Sequence, residues 1–190
     1  SLVASSNSIT ANRIFINAGN ILRVNGDVTI GNATANTITN LVVSGLGSWE
    51  VEAPTGTFSL GGYVPVVANN TNQANLDLSG LADFKLDANN VLLGRIGDNA
   101  TKSASMILAG VNKIEADTLT VGESASGSLT SLRLGPAANQ LWVNTLNIGT
   151  GGRDSGSITF NGPTGSIELR DRSGLATGRA NFNMQTGGAG

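Results

Sequence analysis

Histidine and cysteine are both absent from this 190-residue chain. Those two absences exclude a Ser-His-Asp triad, a thiol nucleophile, a disulfide scaffold and an ordinary zinc site, so no catalytic, cofactor-binding or metal-binding residue is expected. Charge is scarce as well: 11 Lys and Arg stand against 13 Asp and Glu, and charged residues make up 13% of the chain. That is about half the usual share. With a pI near 5.0 and no basic stripe, nucleic acid is not an expected partner, because binding it requires clustered Lys and Arg. No apolar run approaches the roughly 18 residues of a membrane helix, so no membrane insertion is expected. Apolar residues still reach 39%, which together with the low charge argues against disorder.

What the chain has in abundance is glycine, 26 residues of it, placed with a rhythm. The same ending recurs in Val28-Thr-Ile-Gly31, Phe58-Ser-Leu-Gly61, Val91-Leu-Leu-Gly94, Leu119-Thr-Val-Gly122 and Leu146-Asn-Ile-Gly149, with the glycines 30, 33, 28 and 27 residues apart. A period in that range marks a repeat architecture. Longer stretches also superpose without gaps. Val42–Ala53 lies over Asp77–Ala88 at an offset of 35, Lys85–Gly94 over Lys113–Gly122 at 28, and Lys113–Gly122 over Gln140–Gly149 at 27.

Apolar residues alternate with period two in nearly every patch, which is the strand signature, and no window offers a helix of ten residues. The chain therefore reads as all-β. Each repeat holds about three short strands, for example Met106–Leu108, Lys113–Ala116 and Leu119–Val121, joined by links too short for helical crossovers. Three strands per turn of 27–33 residues describe a parallel β-helix, or β-solenoid, in which each strand stacks about 4.8 Å from its equivalent. Two inward columns are expected, Leu93–Val121–Ile148 and Leu86–Ile114–Leu141. A single solenoid domain of six to seven turns is assigned to residues 1–170, and residues 171–190 to a Gly-rich tail or linker. A β-sandwich is the competing architecture, but its strands need share no fixed period.

The Leu-x-Leu and Thr-Leu-x-Val/Ile-Gly units, with their Gly/Asn/Ser-rich connections, resemble the β-strand repeats in passenger regions of bacterial autotransporter-type surface proteins. The resemblance spans roughly residues 8–170 and is to a style of repeat rather than a signature motif. It implies a right-handed coil, in line with the general preference for right-handed crossovers. It also implies a location outside the cell or on a bacterial surface.

Carboxylates are the remaining candidates for chemistry, since paired carboxylates serve glycoside hydrolysis. Glu50, Glu52, Asp83, Asp87, Glu115 and Asp117 fall on or beside the middle strand. Alternation places Lys85, Asp87, Lys113 and Glu115 on the outward face, where adjacent columns of opposite charge form a solvated, mutually screened surface. Gly151–Gly156 is a faint calcium-loop pattern with wrong spacing, better read as a glycine-rich turn. Thr118 and Thr120 face outward without forming a regular Thr-x-Thr array. Trp49 and Phe84 share an inward position and read as core, whereas Trp142 aligns with Glu115 and points outward, making it the aromatic to test for ligand contact.

The expected function is that of a non-enzymatic structural protein: a stalk, filament subunit or adhesin. Its expected partners are other copies stacked head to tail, or flanking repeats of a parent chain, because open strand edges invite stacking. A surface glycan or receptor is a further expected partner, through the variable loops 62–75 and 95–105. Within the first of these, Tyr63–Val67 is apolar enough to fold over the flank or add an outer strand. The alternative is a carbohydrate-active β-helix, such as a polysaccharide lyase, a glycosidase or a phage tailspike segment.

Overall fold

The computed structural model describes residues 2–4, 11–31, 37–61, 72–95, 102–123, 129–150 and 155–184. Every described element is a strand. A broken first turn contains β1 (Leu2–Ala4), β2 (Asn12–Phe15), β3 (Ile21–Asn25) and β4 (Val28–Ile30). Four complete turns follow: β5 (Thr37–Ser44) with β6 (Ser48–Leu60), β7 (Asn72–Gly80) with β8 (Asp83–Arg95), β9 (Lys102–Ile107) with β10 (Val111–Glu123), and β11 (Leu129–Leu134) with β12 (Ala138–Ile148). The last turn is broken again, into β13 (Ser155–Phe160), β14 (Ser166–Arg170) and β15 (Asn181–Met184).

Equivalent strands stack in parallel into two sheets. A six-stranded sheet runs β13-β11-β9-β7-β5-β2, and a nine-stranded sheet runs β1-β4-β6-β8-β10-β12-β14, with β3 on β6 and β15 on β12. The chain is thus a β-solenoid. The offsets read from the sequence are the observed registers, apart from a one-residue slip at Ser44: Trp49 pairs with Phe84, Lys85 with Lys113, and Glu115 with Trp142. Both expected inward columns form, and Leu93, Val121, Leu86, Ile114 and Leu141 are each at most 1% exposed. Burying one such side chain contributes roughly 1.5–3 kcal/mol. Trp49, Phe58 and Phe84 meet in the same core, with ring centroids 5.5–6.4 Å apart.

The long strands of the nine-stranded sheet each combine two of the expected short ones. In β10, Ile114 and Ala116 point inward, Asp117 and Thr118 both point outward, and Leu119 and Val121 point inward again. Two successive outward residues shift the phase of the alternation and turn the strand through a corner. A turn is therefore three-legged: one strand of the first sheet, then the two legs of a bent strand. In β6 the corner takes two extra residues between Ala53 and Thr57. Pro54 and Gly56 suit that bulge, and Asp27 accepts a hydrogen bond from the Thr57 N–H at 2.8 Å.

Each third leg ends at a recurrent glycine, and Gly31, Gly61, Gly94, Gly122 and Gly149 all have positive φ, from 64° to 93°. Space is as restrictive as conformation. A Cβ on Gly94 would lie 2.0 Å from the Thr130 hydroxyl, and one on Gly31 would lie 2.7 Å from the Ala74 methyl. The glycine turns the chain and admits a strand of the six-stranded sheet against it, β11 at Gly94 and β7 at Gly31.

A polar column runs inside the apolar one. Asn112 and Asn139, each 1% exposed, hold the inward position that Trp49 and Phe84 fill in earlier turns. The Asn112 side chain bonds to Ala109 N and O and donates to Asn139 Oδ1 at 2.8 Å. Asn139 in turn bonds to Gly135 N and O and donates to Ser166 O. The two amides tie the links before β10, β12 and β14 into one network.

The region beyond the last regular turn departs from expectation. Residues 171–180 cross the outside of the stack, and β15 pairs in parallel with β12, so Asn181–Met184 continue the third leg rather than form a tail. Residues 185–190 lie outside the described residues. Of the variable loops, 72–75 open β7 and 102–105 open β9, while Tyr63–Val67 also lies outside the described residues.

Candidate functional site

The outer face of the middle leg carries the charged columns. One column runs Arg23, Glu50, Lys85, Lys113, Gln140 and Glu168; its neighbour runs Asn25, Glu52, Asp87, Glu115, Trp142 and Arg170. Strand parity fixes both, because these residues alternate with the inward leucines and valines. Where the β6 bulge raises Pro54 beside this face, a groove of about 510 Å³ opens, lined by Glu50, Glu52, Lys85, Asp87, Lys113 and Glu115.

Charge within the groove is matched locally. Glu50 accepts from Lys85 at 3.2 Å and from Arg23 at 2.8 Å, and these two partners hold its carboxyl below the ordinary range. Lys113 meets Glu115 at 3.0 Å. Asp87 receives Arg172 Nη2 at 2.6 Å, across 85 residues of chain. Of the six candidate carboxylates, the groove gathers Glu50, Glu52, Asp87 and Glu115. Asp83 instead accepts from the Ser48 hydroxyl and Asp117 from the Asn144 amide, and neither lines the groove. Among the described residues no group of three or more Asp or Glu is placed to hold a metal ion.

Trp142 points outward, but it is not an open stacking platform. Lys113 Nζ sits 4.1 Å from its ring centroid, a cation–π contact. On the ring lies the backbone of Gly174, where an added Cβ would come within 2.4 Å of the indole carbons. The indole N–H points to Glu168 at 3.4 Å. Partial burial opposes ionisation of Glu168, yet Trp142, Arg170 and Gln140 outweigh it and hold the carboxyl below its usual range. Trp142 thus anchors the crossing segment, which Arg172 extends by bonding to Asp87, Pro54 O and the Asn144 side chain.

Two other candidates end differently. Thr120, expected to face solvent, is 4% exposed, and its third-leg neighbours Leu92 and Ser59 are buried too, so that column is not an open Thr surface. The calcium-loop pattern falls mainly on 151–154, outside the described residues, and its last residue, Gly156, belongs to β13. The six-stranded sheet carries a smaller hollow of about 280 Å³, lined by Gln73, Asn75, Ser103, Ser105, Ser131 and Leu129. Sequence reading missed the internal Asn112–Asn139 column and the Arg172–Asp87 link. The first left a signal, two asparagines 27 residues apart on inward parity. The second left none, because nothing local predicts an ion pair across 85 residues.

No protein-family model, no curated protein and no solved structure matches the chain. Among the described residues no helix is long and apolar enough to cross a membrane.

Proposed function

We propose that this chain is a non-enzymatic structural protein: a stiff extracellular β-solenoid serving as stalk, filament subunit or adhesin, in the manner of bacterial autotransporter-type passenger regions. The observation that carries this reading is the pairing inside the charged groove. Glu50, Asp87 and Glu115 each hold a cation, which suits a screened ladder surface better than a reacting pair of carboxylates. Stacked identical turns and matched outer columns are features of a spacer. Electron microscopy of the purified chain is the test: short rods that join end to end support the reading. Compact particles that cleave a glycan in a broad polysaccharide panel would overturn it.

A second reading, glycan recognition, is favoured by the groove itself. It is roomy, mixed in charge and bordered by Pro54, as a shallow saccharide site would be. A glycan array answers it directly. Binding lost in Glu115→Gln and Asp87→Asn but kept in a variant of the serine-rich hollow would assign the contact to this groove.

A further inference from the structure

The two ends of the stack are complementary. At the C-terminal end the residues that prolong the core columns are open: Phe160 is 41% exposed, Ile167 45%, Leu169 38%, Phe182 52% and Met184 63%. Their partners one turn inward, Leu134, Asn139, Leu141, Leu146 and Ile148, are buried. The outer edges of β13 and β14 pair with no described strand. At the N-terminal end β2 and β3 likewise pair with described strands on one side only, and Ile14, Leu22 and Val24 are only partly buried against the core.

Register aligns these two open rungs column by column. Leu22 and Ile167 belong to one column, Val24 and Leu169 to another, and Arg23 and Glu168 to the charged column between them. In the six-stranded sheet, Arg13 and Thr159 share a column, and Ile14 and Phe160 follow them, past the one-residue slip between β5 and β7 after Val42. One further step of the same stacking would bring Ile167, Leu169 and Phe160 onto Leu22, Val24 and Ile14 of another molecule. It would also set Glu168 beside Arg23, repeating the opposite-charge contact that Arg23 already makes with Glu50.

Resting on the spacer reading above, we propose that the C-terminal rung is a docking surface for the N-terminal rung of a second copy, with β14 parallel to β3 and β13 parallel to β2. One position is contested. β15 and the incoming copy's β1 both seek the edge of that copy's β4, because β1 already pairs there. Docking therefore releases the three-residue β1 and seats β15 in its place, where Phe182 and Met184 prolong the columns of Val28 and Ile30. β1 acts as a small self-cap on the growing end.

Sedimentation of the full chain over a range of concentration and salt tests this. Wild-type mass should rise with concentration, and less so at high salt. Glu168→Arg alone and Arg23→Glu alone each place like charges across the junction, and each should weaken association roughly tenfold or more. Mixed one to one, the two variants restore opposite charges at every junction, and association should return, which misfolding could not imitate. Deleting residues 1–4 should tighten association. A wild type that stays monomeric throughout would overturn this junction and the end-to-end assembly with it. If the wild type assembles but the charge variants behave alike, or their mixture shows no recovery, the register proposed here fails while the spacer reading stands. Weaker association after the deletion would overturn the role given to β1.

Discussion

Asn112 shows how a single side chain can contradict its usual meaning. In sequence, asparagine reads as a turn former, and 112 sits beside a Gly110 turn, so its inward parity carried little weight. Inside the stack it satisfies both backbone groups of Ala109 and reaches the next turn through Asn139. Asn112→Ala would leave the buried Ala109 N–H without that acceptor, at a cost of about 1–3 kcal/mol plus the cavity, readable as a lower urea midpoint. Asn112→Asp should be worse at neutral pH and improve as the medium is acidified, because an ionised carboxylate cannot donate to Ala109 O. Glu50 supplies a pH effect at the surface. Its folded carboxyl lies below the ordinary 4.5, held there by Lys85 and Arg23, so its charged form stabilises the fold above that value. That contribution is lost as pH falls through the lower folded value. Glu50→Gln should lower stability near pH 7 and flatten the acid limb of the stability profile, measured by thermal unfolding between pH 2 and 7.

The legs of each turn were legible because their sequence repeats: a leucine over an isoleucine at a constant offset can stack only one way without exposing both. Where the repeat breaks, legibility ends. Gly45-Leu46-Gly47 superposes on Gly80-Leu81-Ala82, yet Leu46 is 66% exposed with φ 63° while Leu81 is 2% exposed. The cause is the irregular register between β5 and β7 near Val42 and Ser44, invisible in an ungapped match. The crossing segment 171–180 has no alternation because it belongs to no column, and its anchors, Trp142 and Asp87, are supplied by other turns. The closing glycines allow a test that separates conformation from space. Gly19 and Gly94 both have φ near +75°, at 80° and 70°, but a Cβ on Gly19 meets nothing within 4 Å. Gly19→Ala should therefore cost about 1 kcal/mol, the left-handed penalty alone. Gly94→Ala adds the overlap with Thr130 and should cost about twice that or more. Equal losses in chemical denaturation would show that the Thr130 contact relaxes freely.

Taken whole, the molecule is a one-dimensional stack whose turns touch mainly their neighbours, so its stability should be graded along the axis rather than uniform. The column Val24–Val51–Leu86–Ile114–Leu141–Leu169 samples that gradient with one kind of side chain. Ile114 lies in the middle and is 1% exposed; Leu169 lies in the last turn and is 38% exposed. Ile114→Ala opens a cavity between two covered neighbours, and about 2–5 kcal/mol is the expected cost. Leu169→Ala removes a side chain with protein on one side only, so about 1 kcal/mol or less is expected. Amide exchange distinguishes the two further. The central variant should speed exchange in β8, β10 and β12 together, because the turns on either side lose a shared neighbour, whereas the terminal one should affect β14 and β15 alone. If both variants raised exchange evenly along the chain, the turns would be folding as a single unit and the stack would not be behaving as a sum of neighbours. A chain that does follow the gradient would gain most from covering its open C-terminal rung, and the β14 amides should then become protected as protein concentration rises.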